Sequence, residues 1–219
     1  MQAELPHQSL AGSSITATNC GHPIEEFDGK DDHLVAPAAS MNGVSGAFSA
    51  AAWVRRYRCD SAWDRLFDFG NPVGRGASSA TSTRIGGNDN ILFAFHEGTT
   101  YRIYRGDQWQ GLSTGGSLPC AHWTHVAVTH TAAGQVTIYW DGRAQAAGAV
   151  WPPAAVPRSR LYLGKSNWRA DPMFHGEMRD LFQHAWNATY GFAIPVLEMD
   201  LAAADPFRVP EDVPTMTFT

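Results

Sequence analysis

Hydrophobic and polar residues alternate along much of this chain with a period of two. In "HWTHVAVTHT" (122–131), Val126 and Val128 fall on one face and Trp123, His125 and Ala127 on the other, as side chains of a half-buried strand do. Similar short runs, rich in β-branched and aromatic residues and bounded by Gly, Asn, Asp or Pro, predict further strands at 47–56, 64–70, 90–98, 100–106, 135–142, 159–166 and 177–184. Hardly a helix is expected. "YWDGRAQ" carries an Asp-Gly hairpin signal, because two central residues at positive φ match the twist of paired strands. "FDGKDDHL" is a looser hairpin, and "HTAAGQV" supplies Gly134 for a left-handed turn position. Strand after strand with hairpin punctuation predicts an all-β, two-sheet antiparallel sandwich rather than a parallel α/β sheet.

Composition agrees. Aromatics make up 11% of the 219 residues and charged residues 17%, and Gly and Pro together number 34, a balance of strands and turns within one domain. A net charge of −5, with two lysines among 16 basic residues, leaves no electrostatic footprint for nucleic acid. No apolar run reaches the roughly 20 residues a membrane span needs, and "MQAELPHQSLAGSS" lacks the regions of a signal peptide. Cys20, Cys59 and Cys120 are too widely spaced for a zinc motif, and spacing alone leaves one disulfide or buried free thiols equally open. Asn187-Ala188-Thr189 fits a glycosylation acceptor triplet.

The ends read differently from the middle. Residues 1–22 form a small, polar N-terminal extension, 23–190 the sandwich, and 191–219 a Pro-rich C-terminal extension, neither end resembling a helix or a central strand. Such ends either lie over the sandwich or dock on a neighbouring subunit.

Taken in order, "FDGKDDHLVAP", "FSAAAWVR", "WDRLFDFG", "HWTHVAVTH", "VTIYWDG" and "LYLGKSNWRADPMFHGEMRDL" resemble the laminin-G-like jelly rolls of the concanavalin A-like lectin/glucanase superfamily, over about residues 24–184. The resemblance implies two curved antiparallel sheets offering a face and loop rims to ligands, and an extracellular or cell-surface setting. It departs from the family after "EMRDLFQH", where the chain continues "AWNATYGFAIPVLEMD". Related folds often hold a structural Ca2+, for which Asp28, Asp89 and Asp180 are the candidate ligands here, Asp89 lying between Asn88 and Asn90 on an expected turn.

The chemistry left open is narrow. Gly164-Lys165-Ser166 looks like the end of a phosphate loop, but Ser159 stands where that loop needs glycine, and Asp171-Pro172 and Gly176 break the helix that should follow. Glu26 and Asp28 lie two apart, as paired glycosidase carboxylates do, but the turn marked by Gly29 is expected to carry Asp31 away from their face. His122 and His130 share a parity that His125 does not, so the three do not converge on a metal or a base. Trp53, Trp123 and Trp140 fall within strand patterns and are expected in the core. Trp63, Trp109, Trp151 and Trp168 fall in or beside loops, where an indole earns its exposure by packing or binding. A sugar ring stacks on such an indole while Asn and Asp bond its hydroxyls, so Trp168, Asn167, Asp171 and Trp109 are the candidate ligand-binding residues. The expectation is a non-catalytic recognition module for a glycan or a protein surface. A structural subunit of a larger assembly is the alternative, and a glycoside hydrolase ranks last.

Overall fold

The protein is described here by a computed structural model covering residues 15–17, 23–36, 46–71, 88–106, 108–187 and 192–198. Its strands are β1 (Ile15–Ala17), β2 (Pro23–Asp28), β3 (Leu34–Val35), β4 (Phe48–Arg56), β5 (Asp64–Asn71), β6 (Asn88–Phe95) and β7 (Thr100–Arg105), followed by β8 (Gln108–Ser113), β9 (Thr124–His130), β10 (Gln135–Trp140), β11 (Arg143–Ala149), β12 (Arg160–Leu163), β13 (His175–Asn187) and β14 (Phe192–Glu198). All pairings are antiparallel. One sheet has eight strands in the order β1-β2-β13-β4-β9-β10-β11, with β14 also on β13; the other has six in the order β3-β12-β5-β6-β7-β8. No helix occurs among the described residues, and so none long and apolar enough to cross a membrane.

The period of two decides the core. Phe48, Ala50, Ala52 and Val54 of β4, Val126 and Val128 of β9 and Ile138 of β10 point inward from one sheet. They meet Phe67, Phe69, Phe93, Phe95, Ile103 and Leu161 of the other in a single apolar cluster. Phe48 and Phe67 touch across it with ring centroids 6.1 Å apart. The Asp-Gly hairpin forms as expected: Asp141 and Gly142 adopt φ of 47° and 73° between β10 and β11. Gly134, at φ 84°, turns β9 into β10.

Strand pairing runs past both expected domain boundaries. β1, within 1–22, pairs with β2, and β14, within 191–219, pairs with the far half of β13. Pro195 is tolerated in β14 because that strand reaches the sheet only through β13, and its ladder shifts register between Gln183 and His184. Cys20, the rest of the two extensions, and Ala188 and Thr189 of the acceptor triplet lie outside the described residues.

Two tryptophans lie elsewhere than alternation alone suggested. Trp140 packs against the core, but Trp53 is buried on the opposite face of the eight-stranded sheet, its ring 5.1 Å from that of His125. Trp123 is half-buried on that face, with the guanidinium groups of Arg55 and Arg179 at 5.1 and 4.2 Å. A strand parity says which residues share a face and not which face is the core.

A disulfide joins Cys59 to Cys120, across 61 positions of chain, and settles the cysteine question left open by spacing. Near it Arg56 and Asp64 form a buried ion pair at 2.9 Å, Arg56 also lying 4.6 Å over the Phe95 ring. Burial pushes the Asp64 carboxyl up to about 6, with Arg56 pulling against it. His130 faces inward and bonds the Tyr101 hydroxyl at 3.0 Å. Burial holds the phenol protonated, and the direction of this bond follows the histidine tautomer.

Burial depresses both His125 and His130 to about 4. An unfolded histidine titrates near 6.5, so between pH 6.5 and about 4 the unfolded chain binds protons that these folded histidines refuse. Their stabilisation is complete above pH 6.5 and is lost as pH falls through 4. Asp64 works the other way, its folded form keeping a proton the unfolded chain releases between about 4 and 6, which offsets part of the loss. Unfolding free energy from urea titrations should therefore fall by about 3 kcal/mol between pH 7 and 4.5. His130→Gln, less stable at pH 7, should lose most of that slope, and an unchanged slope would mean that His130 titrates normally in the fold.

Candidate functional site

The outer face of the six-stranded sheet should be solvated, yet Asp68 at its centre has no exposure at all. Alternation points Phe67 and Phe69 into the core and Asp68 out. The 164–174 loop then folds back over it, closed at its base by Phe174 N–H donating to the Gly164 carbonyl at 2.9 Å. Gly164 starts that loop at φ 74°, where a Cβ would strike the Phe27 ring at 2.7 Å. The Gly-Lys-Ser sequence thus opens a loop and no helix, as its flanks predicted.

Asp68 is buried with a full set of donors. Asn167 gives its backbone N–H at 2.9 Å and its side-chain amide at 3.0 Å, Asn90 donates its amide, Ser166 its hydroxyl at 3.4 Å, and Arg65 Nε at 3.4 Å. Burial pushes this carboxyl up, and Arg65 and the Asn167 donors pull it back. Arg65 reaches on to Asp171 at 2.5 Å, and Asp171 shares the single Ser166 hydroxyl proton with Asp68 at the shorter distance of 2.8 Å. Arg65 therefore carries two carboxylates.

Beside this network runs an aromatic strip. Trp168 leaves the loop and packs against Tyr104 of β7, centroids 5.1 Å apart. Tyr104 stands opposite Trp109 of β8, the one large indole on this face with 49% exposure. Arg102, two residues before Tyr104, lies 3.7 Å over Trp109 and 4.3 Å over Trp63. Trp63 carries His96 as well, stacked at 4.1 Å.

Of the expected ligand residues, then, Asn167, Trp168, Asp171 and Trp109 all come to one face. Asn167 is buried holding Asp68, Asp171 is committed to Arg65, Trp168 is half-buried, and Trp109 stands open. Arg65, Asp68, Arg102 and Tyr104 were missed. For Arg102 and Tyr104 a signal existed, since "TYRIYR" alternates and sends them opposite to Tyr101 and Ile103.

The expected calcium ligands are dispersed. Asp89 begins β6 in the six-stranded sheet, at φ 57°, and accepts the Gly106 N–H at 3.0 Å, while its neighbour Asn90 is buried on Asp68 instead of forming a turn. Asp180 sits at an irregularity of β13. Asp28 instead joins Asp31 and Asp32, whose carboxylate oxygens come within 4.8 Å of one another. The turn brings Asp31 back to Asp28 and does not carry it away: Asp28 Oδ1 accepts the N–H of Lys30 at 2.8 Å and of Asp31 at 3.4 Å, and Asp32 Oδ2 accepts that of Asp28 at 3.0 Å. The Lys30 N–H holds the Asp28 carboxyl below its ordinary range. Three carboxylates in one turn are the donor type a hard cation takes, although two of their oxygens already serve the backbone. Glu26, the other half of the paired-carboxylate pattern, is exposed on β2.

Comparison with known proteins follows the same lines. The laminin G family model of the concanavalin A-like lectin/glucanases superfamily matches residues 28–187. The chain belongs to that superfamily. Among solved structures it is similar to domain 4 of AbnA, an extracellular GH43 arabinanase from Geobacillus stearothermophilus, in complex with arabinotriose (16% identity, TM-score 0.58, covering 80% of this chain and 76% of that one). It is also similar to the CBM40 of the Ruminococcus gnavus IT-sialidase bound to α2,3-sialyllactose (10% identity, TM-score 0.53, 77% and 95%). A third is the binding domain of botulinum neurotoxin DC in complex with rat synaptotagmin II (14% identity, TM-score 0.52, 87% and 43%). At these identities the likeness establishes the fold of this superfamily member and no more. No curated protein sequence matches it.

Removing the Asp68 carboxylate leaves the Arg65 Nε–H, the Asn167 backbone N–H and the Asn90 amide without the acceptor they share. Asp68→Ala should lower unfolding free energy by about 3–5 kcal/mol. Asp171→Ala, at a site with 24% side-chain exposure, should cost about 1 kcal/mol or less. Hydrogen exchange should rise throughout 164–174 in the first and only locally in the second; equal effects would show that Asp68 does not anchor the loop.

Proposed function

We propose that this protein is a non-catalytic carbohydrate-binding module whose ligand lies on the outer face of the six-stranded sheet, stacked on Trp109. The observation that carries the reading is a half-exposed indole held flat by a guanidinium, in line with Tyr104 and Trp168, on a strip bordered by polar groups. Sugar rings bind such strips because their C–H faces meet the aromatic π-cloud while their hydroxyls bond neighbouring polar groups. The bound glycans of the arabinanase domain and the sialidase module support the class, and the Cys59–Cys120 bridge supports an oxidising, extracytoplasmic setting.

Trp109→Ala should weaken glycan binding about tenfold or more by calorimetry. The thermal midpoint should hardly move, since the ring is not part of the core. Undiminished affinity would place the ligand elsewhere, and capture of a protein in place of any glycan would replace this reading with protein recognition.

Calcium, in this reading, goes to the β2–β3 turn, with Asp28, Asp31 and Asp32 as the acidic ligands. Millimolar Ca2+ at a hundred times the dissociation constant should add about 2.7 kcal/mol to stability, and Asp31→Asn should abolish most of that gain. If Ca2+ leaves the melting curve unchanged, the turn satisfies its own hydrogen bonds and needs no ion.

A further inference from the structure

Two arginines share the ligand-binding face in opposite electrostatic states. Arg65 is neutralised by Asp68 and Asp171. Arg102 has no carboxylate partner among the described residues: its guanidinium rests on two indoles, and its buried Nε–H meets no acceptor. A buried donor left without an acceptor carries a cost that the fold does not relieve with any described group.

The surroundings hold Arg102 in place without neutralising it. Gly111 stands directly opposite it on β8, and a Cβ there would lie 2.6 Å from Arg102 Cγ and 2.7 Å from the Tyr101 carbonyl. Only glycine lets the arginine stem lie across β8 towards Trp109. Trp63, the second indole, is fixed by a backbone at φ 72°, a conformation that is strained for a tryptophan. Its backbone N–H donates to the Phe95 carbonyl at 3.0 Å, and its backbone carbonyl accepts from Arg65. With its faces against the rings, the guanidinium has only its edge to offer, and an edge of parallel N–H groups matches a planar carboxylate.

Accepting the carbohydrate reading of this face, we infer that the ligand is an acidic glycan, with the carboxylate of a uronic or sialic acid residue received by the edge of Arg102 while its ring or the adjoining sugar stacks on Trp109. Arg102 is the specificity-determining residue and Trp109 the general platform. Gly111 and Trp63 position the arginine.

The test is an array of neutral, uronate-bearing, sialylated and sulfated glycans probed with the full chain, followed by calorimetry on the best ligand and its uncharged counterpart. Carboxylate-bearing glycans should bind at least about tenfold more tightly than their uncharged counterparts, whichever of the two acids supplies the group. Arg102→Gln should lose at least about tenfold towards the acidic ligand and hardly change towards the neutral one; Arg102→Lys should recover only part, and Trp109→Ala should lose both. Gly111→Ala, which keeps every functional group, should copy Arg102→Gln, and a thermal melt on each variant identifies any loss due to unfolding. Neutral glycans bound as tightly as acidic ones, and indifferent to Arg102→Gln, would overturn the acidic ligand while leaving carbohydrate binding intact. Binding confined to sulfated glycans would overturn the carboxylate, and binding to none would overturn both readings.

Discussion

A carboxylate without solvent, placed on the face of a sheet that alternation turns outward, is the constraint on which the rest of this face depends. Unpaired, Asp68 would cost several kcal/mol or take up a proton. Its donors come from three separate places: Arg65 on its own strand, Asn90 on the neighbouring one, and Asn167 and Ser166 on the loop after β12. Satisfying one side chain therefore fixes the loop against the sheet. Once the loop is fixed, Trp168 must lie against Tyr104 and Asp171 beside Arg65. Breaking a buried set of this kind costs far more than its formation gains, and so it selects one loop conformation.

Missing side chains shape the face as much as those present. Gly70 leaves the space that the Asn90 amide fills on its way to Asp68, and Gly111 leaves the space that the Arg102 stem fills on its way to Trp109. Both glycines lie inside strands, where glycine weakens the ladder by about 0.5–1 kcal/mol. At both positions the gain is a polar group brought to a defined point on the outer surface.

The legible part of this structure was the part set by near neighbours in sequence. β9 could be read from alternation and the β10–β11 hairpin from Asp141-Gly142, because strand period and turn chemistry are local. β11, "RAQAAGA", carries no β-branched residue and exists because β10 pairs with it, while β8 is short and polar and depends on β7 in the same way. Asn167, Trp168 and Asp171 could be grouped by proximity in sequence. Their meeting with Trp109 depends on the order β12-β5-β6-β7-β8, which no periodicity encodes. Asp68 and Arg65 lie three apart, so alternation places them on opposite faces, and only the register shift between Arg65 and Phe67 and the loop that closes over them bring them together.

The difference between Arg65 and Arg102 also bears on how such a face can bind without a deep cavity. A charged group that must find its geometry on binding spends side-chain entropy and desolvation out of the affinity it creates. Arg102 has already met those costs in the fold: its stem lies along Gly111 and its plane rests on Trp63 and Trp109. Placing an acid beside it would have stabilised the fold and closed the position, as Asp68 and Asp171 do for Arg65. The sheet therefore carries one arginine that builds the surface and a second, equally constrained, whose charge no described carboxylate compensates, and that asymmetry separates the structural half of the face from the half proposed to recognise a ligand.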